Sequence, residues 1–325
     1  DLFSNVDGQF ETIIFNPPYL PQDYFENGKV AVEDPALYGG KKGYEVIVRF
    51  LDSVDDHLAR DGKILLLFSS LSQKEVVESV IRKNLFEFKE IAKLKQPMME
   101  TLYVYEIKAR PERESILAMG VKNLTYFNKG SRGIVFKGNW DVNSLEKKFL
   151  AKRNVREVAI KMNLDSSSAQ GTLELEARNL RLVNKKGVGP KLYYFHKDFL
   201  IMEFVCGISL DSYLQIKGKE STIAKKALVA LLYQAYQLDK MKLQKEEMHR
   251  PYQNVLVSEK NGHVNLTLLD FERCRHSDSP SNVTQVVSYL MKSGFIDKDK
   301  GISLAEGYKK SYSQKCFDEI LSFLK

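Results

Sequence analysis

The chain has 325 residues, with 49 basic and 42 acidic side chains and a net charge of +7. Hydrophobic residues make up 43% and charged residues 28%, an ordinary soluble composition that can bury real cores in about two domains. No apolar run approaches the roughly 20 residues of a membrane span, and "DLFSNVDGQF" has neither the basic start nor the apolar core of a signal peptide. Cys206, Cys274 and Cys316 lie far apart and form no Cys/His cluster, which reads as free thiols in a reducing cytoplasm. The basic excess suits an anionic ligand such as a nucleotide, or an RNA or ribosomal surface, without specifying one. The first residue is Asp1 rather than Met, so a fragment or processed chain is expected.

Thr12 to Phe15 read as a short buried strand running into Asn16-Pro17-Pro18-Tyr19. Ile47, Phe50, Leu51, Val54 and Leu58 then recur at helical spacing, with Gly62 as the stop. "KILLLFSS" (63–70) is a continuous apolar strand, as in a parallel sheet covered on both faces. "QKEVVESVIRKN" (73–84) is a second amphipathic helix. "FEFKEIAKLKQ" and "TLYVYEIKA" close the region as an antiparallel pair. This order is the second half of a doubly wound α/β sheet, whose ligands bind beyond the carboxyl ends of the strands. Asn16 stands at such an end. Its side-chain carbonyl and the next peptide carbonyl can both accept from one planar NH2 group. The two prolines fix the backbone and remove competing N–H donors, and Tyr19 can lie over the held group.

These residues resemble the Asn-Pro-Pro-Tyr motif of amino-methyltransferases that use S-adenosylmethionine. "DPALYGGKKGYEVIVRFL" (34–51) and "LFSSLS" (67–72) resemble more specifically the HemK-type branch, over about residues 1–108. The resemblance implies a glutamine side chain in a translation release factor as substrate, held by Asn16, Pro17, Pro18 and Tyr19 with Asn16 as the catalytic group. It also implies a small zinc-binding activator subunit as partner. Other Asn-Pro-Pro-Tyr families act on adenine amino groups, which keeps nucleic acid open as a substrate. Such enzymes hold the cofactor on a Gly-rich turn ahead of this motif, and no Asp-x-Gly-x-Gly precedes Asn16 here. The expectation is a substrate clamp without its cofactor half. S-adenosylmethionine would then bind only if the missing N-terminal segment is present, and the strand carrying Asn16 would have an unpaired edge.

"KARPERESILAMG" (108–120) is charged and contains proline, which places a domain boundary near 110, giving domains 1–110 and 111–325. "LTYFNKGSRGIVFKGNW" reads as strand, Gly-rich turn, strand, and Gly130, Ser131 and Gly133 can bring backbone N–H groups over phosphates. In "REVAIKM" (156–162) Lys161 is the only charge between Ala159-Ile160 and Met162, costly unless it meets an anion. A helix with Glu174 and Glu176 follows, and Glu176 is the preferred partner of that lysine. "DFLIMEFVCG" (198–207) is a strand leading to a hinge. Met202 would flank an adenine, and the backbones of Glu203 and Val205 would meet its edge. A long helix (221–243) turns Leu228, Leu231, Leu232, Ala235 and Leu238 inward. Asn254 and Asp270 then bracket a hairpin with Asn261-Gly262 at its turn, placed to hold Mg2+. Two closing helices, "SNVTQVVSYLMKSG" and "CFDEILSFLK", end the chain.

Residues 121–275 together resemble the protein-kinase-like superfamily, and "GVGPKLYYFHKDFLIMEFVCG" resembles the small archaeal kinases of the RIO and KEOPS-associated type. The resemblance implies ATP and Mg2+, with Lys161 on the phosphates and Glu176 bracing it. Three positions depart from the pattern. Five residues before Asn254, where the catalytic Asp is expected, stands His249; a loop two residues longer would bring Glu247 into that role, with Glu246 and His249 as alternatives. Asp270-Phe271-Glu272 replaces Asp-Phe-Gly. About 55 residues follow Asp270, with no Ala-Pro-Glu. The expected whole is a partial doubly wound α/β, Rossmann-like methyltransferase sheet followed by an α+β two-lobed protein-kinase-like domain. Its expected activity is that of a cytoplasmic Ser/Thr protein kinase. The rivals are a phosphotransferase acting on a small molecule or RNA-associated substrate, and a degenerate ATP-binding scaffold.

Overall fold

A computed structural model of the chain describes residues 2–22, 35–130, 133–141, 154–163, 172–252 and 254–324, the Met98 side chain excepted. Two compact units emerge: Asp1–Asn128 with Phe136–Arg156, and Lys129–Val135 with Glu157–Lys325. No helix among the described residues is long and apolar enough to cross a membrane.

The first unit opens with β1 (Phe10–Phe15), α1 (Glu45–Ser53), β2 (Leu58–Ser69), α2 (Lys74–Lys83), β3 (Phe86–Lys95), β4 (Thr101–Ala109) and α3 (Pro111–Ala118). Its sheet has the order β1-β2-β4-β3, with β1 parallel to β2 and the other pairs antiparallel. One core joins Ile47, Phe50 and Leu51 of α1, Ile64, Leu66 and Phe68 of β2, and Val77 and Ile81 of α2. Burial along β2 alternates, so Leu65 and Leu67 stay half-buried where cover on both faces was expected. The helix expected to reach Leu58 ends at Ser53. The Val54 carbonyl accepts from His57 N–H at 3.0 Å and from Leu58 N–H at 2.9 Å, turning the chain, and Leu58 enters β2. Among the described residues β1 is an edge strand, with Phe10 42% and Ile14 76% exposed.

The charged stretch after β4 is helical. Pro111 opens α3, where its missing N–H is harmless. The buried Arg113 guanidinium donates to the Asn84 carbonyl and to Asp55, and lies 4.4 Å from the Phe86 ring centroid. Burial lowers the Arg113 pKa, while Asp55 opposes the shift.

Then come β5 (Lys122–Lys129), β6 (Gly133–Asp141), β7 (Val155–Asn163), α4 (Thr172–Val183), β8 (Leu192–Phe195) and β9 (Phe199–Glu203). Most of β5 and β6 falls in the first unit; within the second, β9 pairs antiparallel with β7 and with β8. The rest of the second unit holds β10 (Ile208–Ser209), α5 (Leu210–Lys217), α6 (Thr222–Lys240), β11 (Leu243–Gln244), β12 (Val255–Lys260), β13 (His263–Leu268), β14 (Arg275–His276), α7 (Asn282–Lys292), α8 (Lys298–Ser311) and α9 (Gln314–Ser322). Leu228, Leu231, Leu232, Ala235 and Leu238 of α6 are fully buried, as their spacing requires, against Val283, Val286, Val287 and Leu290 of α7. Three helices close the chain, not two. "KDKGISLAEGYKKS" carries few apolar residues, yet Leu304 and Tyr308 of α8 are buried, and Gly301 lets α8 approach Met291.

Candidate functional site

In the second unit the chemistry gathers at Lys161. It is register-paired with Leu200 in the β7–β9 ladder, so its ammonium emerges from a hydrogen-bonded strand. Its Nζ lies 2.6 Å from Glu176 Oε2, 3.4 Å from Glu272 Oε2 and 3.5 Å from Asp270 Oδ1. Of the two glutamates considered on α4, Glu174 is exposed. Glu176 is 2% exposed, on the face it shares with Leu173, Ala177 and Leu180. Burial alone would lower the Lys161 pKa. The Glu176, Asp270 and Glu272 carboxylates reverse this and hold the ammonium above the usual lysine range. Burial pushes the Glu176 carboxyl above its ordinary value, and Lys161 opposes that shift.

The Gly-rich turn closes on itself through Gly130 N–H to the Gly133 carbonyl at 2.9 Å. A Cβ on Gly133 would stand 2.7 Å from the Met162 carbonyl and 3.6 Å from Lys161 Cε, so only glycine lets β6 pass this close to the lysine. Ser131 lies outside the described residues. At the hinge, the Glu203 N–H donates to the Lys191 carbonyl at 2.8 Å and its carboxylate accepts from Lys191 N–H at 3.2 Å. Glu203 therefore has only its carbonyl to offer an adenine, not its N–H. Met202 and Val205 are both half-buried beside it.

Asn254 and Asp270 sit at the two ends of the β12–β13 hairpin. Val255 faces Leu268, and Leu269 N–H donates to the Asn254 carbonyl at 2.8 Å. Asp270 adopts the left-handed region at φ 60. Oxygen atoms of Glu176, Asp270 and Glu272 all lie within 4.8 Å of one another, a hard-oxygen donor set of the kind Mg2+ takes. Of the three candidates for the base, Glu246 lies 3.4 Å from Arg273 and the His249 ring 3.4 Å from Gln285 Oε1. Glu247 is exposed and left-handed at φ 62, strained for a side-chain-bearing residue.

Sequence reasoning missed the groups that hold this site from behind. Asn179 Nδ2 donates to the Phe271 carbonyl at 2.7 Å and to the Cys274 carbonyl at 3.1 Å. Lys245 Nζ donates to the Asp270 carbonyl at 2.6 Å. "GVGP" serves the same segment: at Gly189, φ 74, a Cβ would stand 2.6 Å from the Phe271 ring. The readable signal was a lysine, a buried-face asparagine and a glycine in otherwise unassigned positions.

In the first unit, Asn16 follows directly on β1 and is exposed, Pro17 is buried, and Pro18 and Tyr19 are half-buried. Pro18 lines a cavity of about 640 Å³ with Phe15, Tyr38, Gly39, Gly40 and Glu45. The glycines press on the motif backbone: a Cβ on Gly39 would stand 2.4 Å from the Pro18 carbonyl oxygen, and one on Gly43 2.5 Å from that of Tyr19. Ser72 Oγ donates to the same Tyr19 carbonyl at 2.8 Å, fixing it from the other side. "GGKKG" and "SSLS" are thus the two supports of the Asn-Pro-Pro-Tyr turn.

No protein-family model matches the chain. Over 105 residues, 32% of the chain, it is 35% identical to a putative protein N5-glutamine methyltransferase of Methanocaldococcus jannaschii, covering 52% of that protein. Over 91 residues it is 31% identical to the release factor glutamine methyltransferase of Haemophilus influenzae, covering 31% of it. The chain thus spans about half the length of the first of these relatives and about a third of the second. Among solved structures, the E. cuniculi Mtq2–Trm112 complex, responsible for methylating the eRF1 translation termination factor, is 26% identical over 30% of the chain and 51% of its own, with a TM-score of 0.24. The Chaetomium thermophilum Rio2 kinase in its ADP/Mg2+-phosphoaspartate complex covers 77% of the chain and 84% of its own at 10% identity, with a TM-score of 0.42. Part of the chain is therefore homologous to glutamine methyltransferases. The rest of the chain holds mixed α/β structure with the Lys161–Glu176 pair at its centre of charge.

Proposed function

We propose that the second unit is an ATP- and Mg2+-dependent phosphotransferase of the atypical, RIO- and KEOPS-kinase-like type acting on a Ser or Thr hydroxyl. In this reading it is joined to a glutamine-methyltransferase substrate clamp. The observation that carries this is one lysine held at 2.6 Å by a helix glutamate while it faces Asp270 at 3.5 Å. Lys161 binds α- and β-phosphate oxygens and Glu176 keeps its ammonium aimed. Gly130 and Gly133 bring the turn over the phosphates. Asn254, Asp270 and Glu272 offer oxygens to Mg2+, which neutralises phosphate charge when bound. Glu247 accepts the hydroxyl proton as that oxygen bonds to the γ-phosphorus, the bond to the bridging oxygen breaks and ADP leaves.

Phosphate release and autophosphorylation in wild type, Lys161→Ala and Asp270→Ala test this. Transfer in wild type with loss of about 10²-fold or more in each variant is expected. Nucleotide binding without transfer in wild type would leave a nucleotide-binding scaffold instead.

For the first unit, the exposed Asn16 on an Asn-Pro-Pro-Tyr turn whose Pro18 lines the 640 Å³ cavity supports a side-chain amide as the held group. The relatives' names point to a release-factor glutamine, and the resemblance of the Asn-Pro-Pro-Tyr region adds a small activator subunit as partner. Binding of a glutamine-bearing peptide, followed by fluorescence anisotropy, is expected to weaken about tenfold or more in Asn16→Ala, as for a lost pair of amide hydrogen bonds. Equal affinity in the two proteins would remove the clamp reading.

A further inference from the structure

Lys245 is 3% exposed, and its ammonium makes one hydrogen bond to an uncharged group, the Asp270 carbonyl. Burying an ammonium without a counter-ion is costly. Stability alone therefore does not explain this lysine. Its surroundings give a reason. The Lys245 N–H donates to Asn282 Oδ1 at 2.9 Å. Asn282 is fully buried and is itself fixed by Asp239, which accepts from the Asn282 amide at 2.7 Å, from Val283 N–H at 3.1 Å and from the Tyr308 hydroxyl at 3.1 Å. The lysine is thus anchored at its backbone on the α6–α7–α8 core and reaches forward from there. Its Nζ lies 5.3 Å from the Phe271 ring centroid. Asp270, the residue it grips, has the left-handed φ of 60, which a side-chain-bearing residue adopts at a cost of about 1 kcal/mol or more.

We infer that Lys245 is a positioning residue that locks the Asp270 peptide in its left-handed conformation, so that the Asp270 carboxylate faces Lys161 and the metal. With Asn179 on the Phe271 and Cys274 carbonyls, three carbonyls of the Asp270–Cys274 segment are held by buried side chains. A mobile Asp-Phe-Gly switch is replaced by a clamped Asp-Phe-Glu. Burial lowers the Lys245 pKa.

This inference rests on the phosphotransferase reading for its metal, but one readout is independent of it. In the full chain without ligand, Lys245→Met is expected to raise amide hydrogen exchange across 269–274 while the β12 and β13 interior stays protected. In the presence of saturating ATP, the Mg2+ concentration giving half-maximal phosphate release is expected to rise about tenfold, with Lys245→Arg within about threefold of wild type. Should the methionine variant fail to fold, Lys245→Gln carries the same two readouts. Unchanged exchange at 269–274, or a uniform rise across the whole unit, overturns the inference. So does an unaltered Mg2+ requirement in an otherwise active variant. If wild type releases no phosphate, the phosphotransferase reading fails, and exchange at 269–274 still decides the role of Lys245.

Discussion

Lys161→Met is expected to lose about 10²–10³-fold in phosphate transfer and to become less stable as the pH rises. The Lys161 ammonium lies within 3.5 Å of Glu176, Glu272 and Asp270. Without it, Glu176, 2% exposed, keeps its burial penalty and loses its partner. Breaking such a buried pair from one side costs about 3–5 kcal/mol. The sign of the pH effect follows from Glu176. Burial already raises its carboxyl above the ordinary value of 4.5 while Lys161 pulls it back. Losing the lysine raises it further. The folded variant then holds that proton more tightly than the unfolded chain does. Its stability is greatest below the ordinary glutamate value and falls as the pH climbs through the raised one. Urea unfolding at about pH 4.5 and pH 8 checks this, with the gap to wild type wider at pH 8. An equal gap at both would mean that Glu176 does not bear an unpaired charge in the variant.

Glu247→Gln is expected to lower transfer by about 10²–10⁴-fold at unchanged nucleotide affinity, the contribution of a positioned general base. Glu246→Gln and His249→Ala are expected to stay within about threefold, because those side chains are turned to Arg273 and Gln285. The left-handed Glu247 backbone, with its carboxylate exposed, is the arrangement of a group presented to a substrate. Single-turnover transfer to an added protein substrate measures the chemical step directly. A glutamine variant as fast as wild type would move the base to another residue.

Local periodicity reached most of the fold. The apolar face of α6 and the turn at Asn261-Gly262, with φ of 52 and 74, could be read because the signal lies within a few neighbours. The spacing extends helix α1 to Leu58, although the chain turns at Val54. Helix α8 was missed because its buried face is thin, and Gly301 packs there by lacking a side chain. In the sequence Glu272 is only the residue that replaces a glycine, whereas its carboxylate stands 3.4 Å from Lys161.

By itself the sequence determined which chemistries were on offer: an Asn-Pro-Pro-Tyr turn, a lone strand lysine, a Gly-rich turn, and an Asn and an Asp at hairpin ends. Those are properties of residue type and spacing over short stretches. Only the tertiary structure decided which glutamate meets Lys161, that Glu272 joins it, and that Lys245 and Asn179 brace the Asp270 segment. Lys161 and Asp270 are 109 residues apart, and Asn179 and Phe271 are 92 apart. Contacts of that span are set by how strands and helices pack, and nothing in the local pattern of either segment encodes its partner.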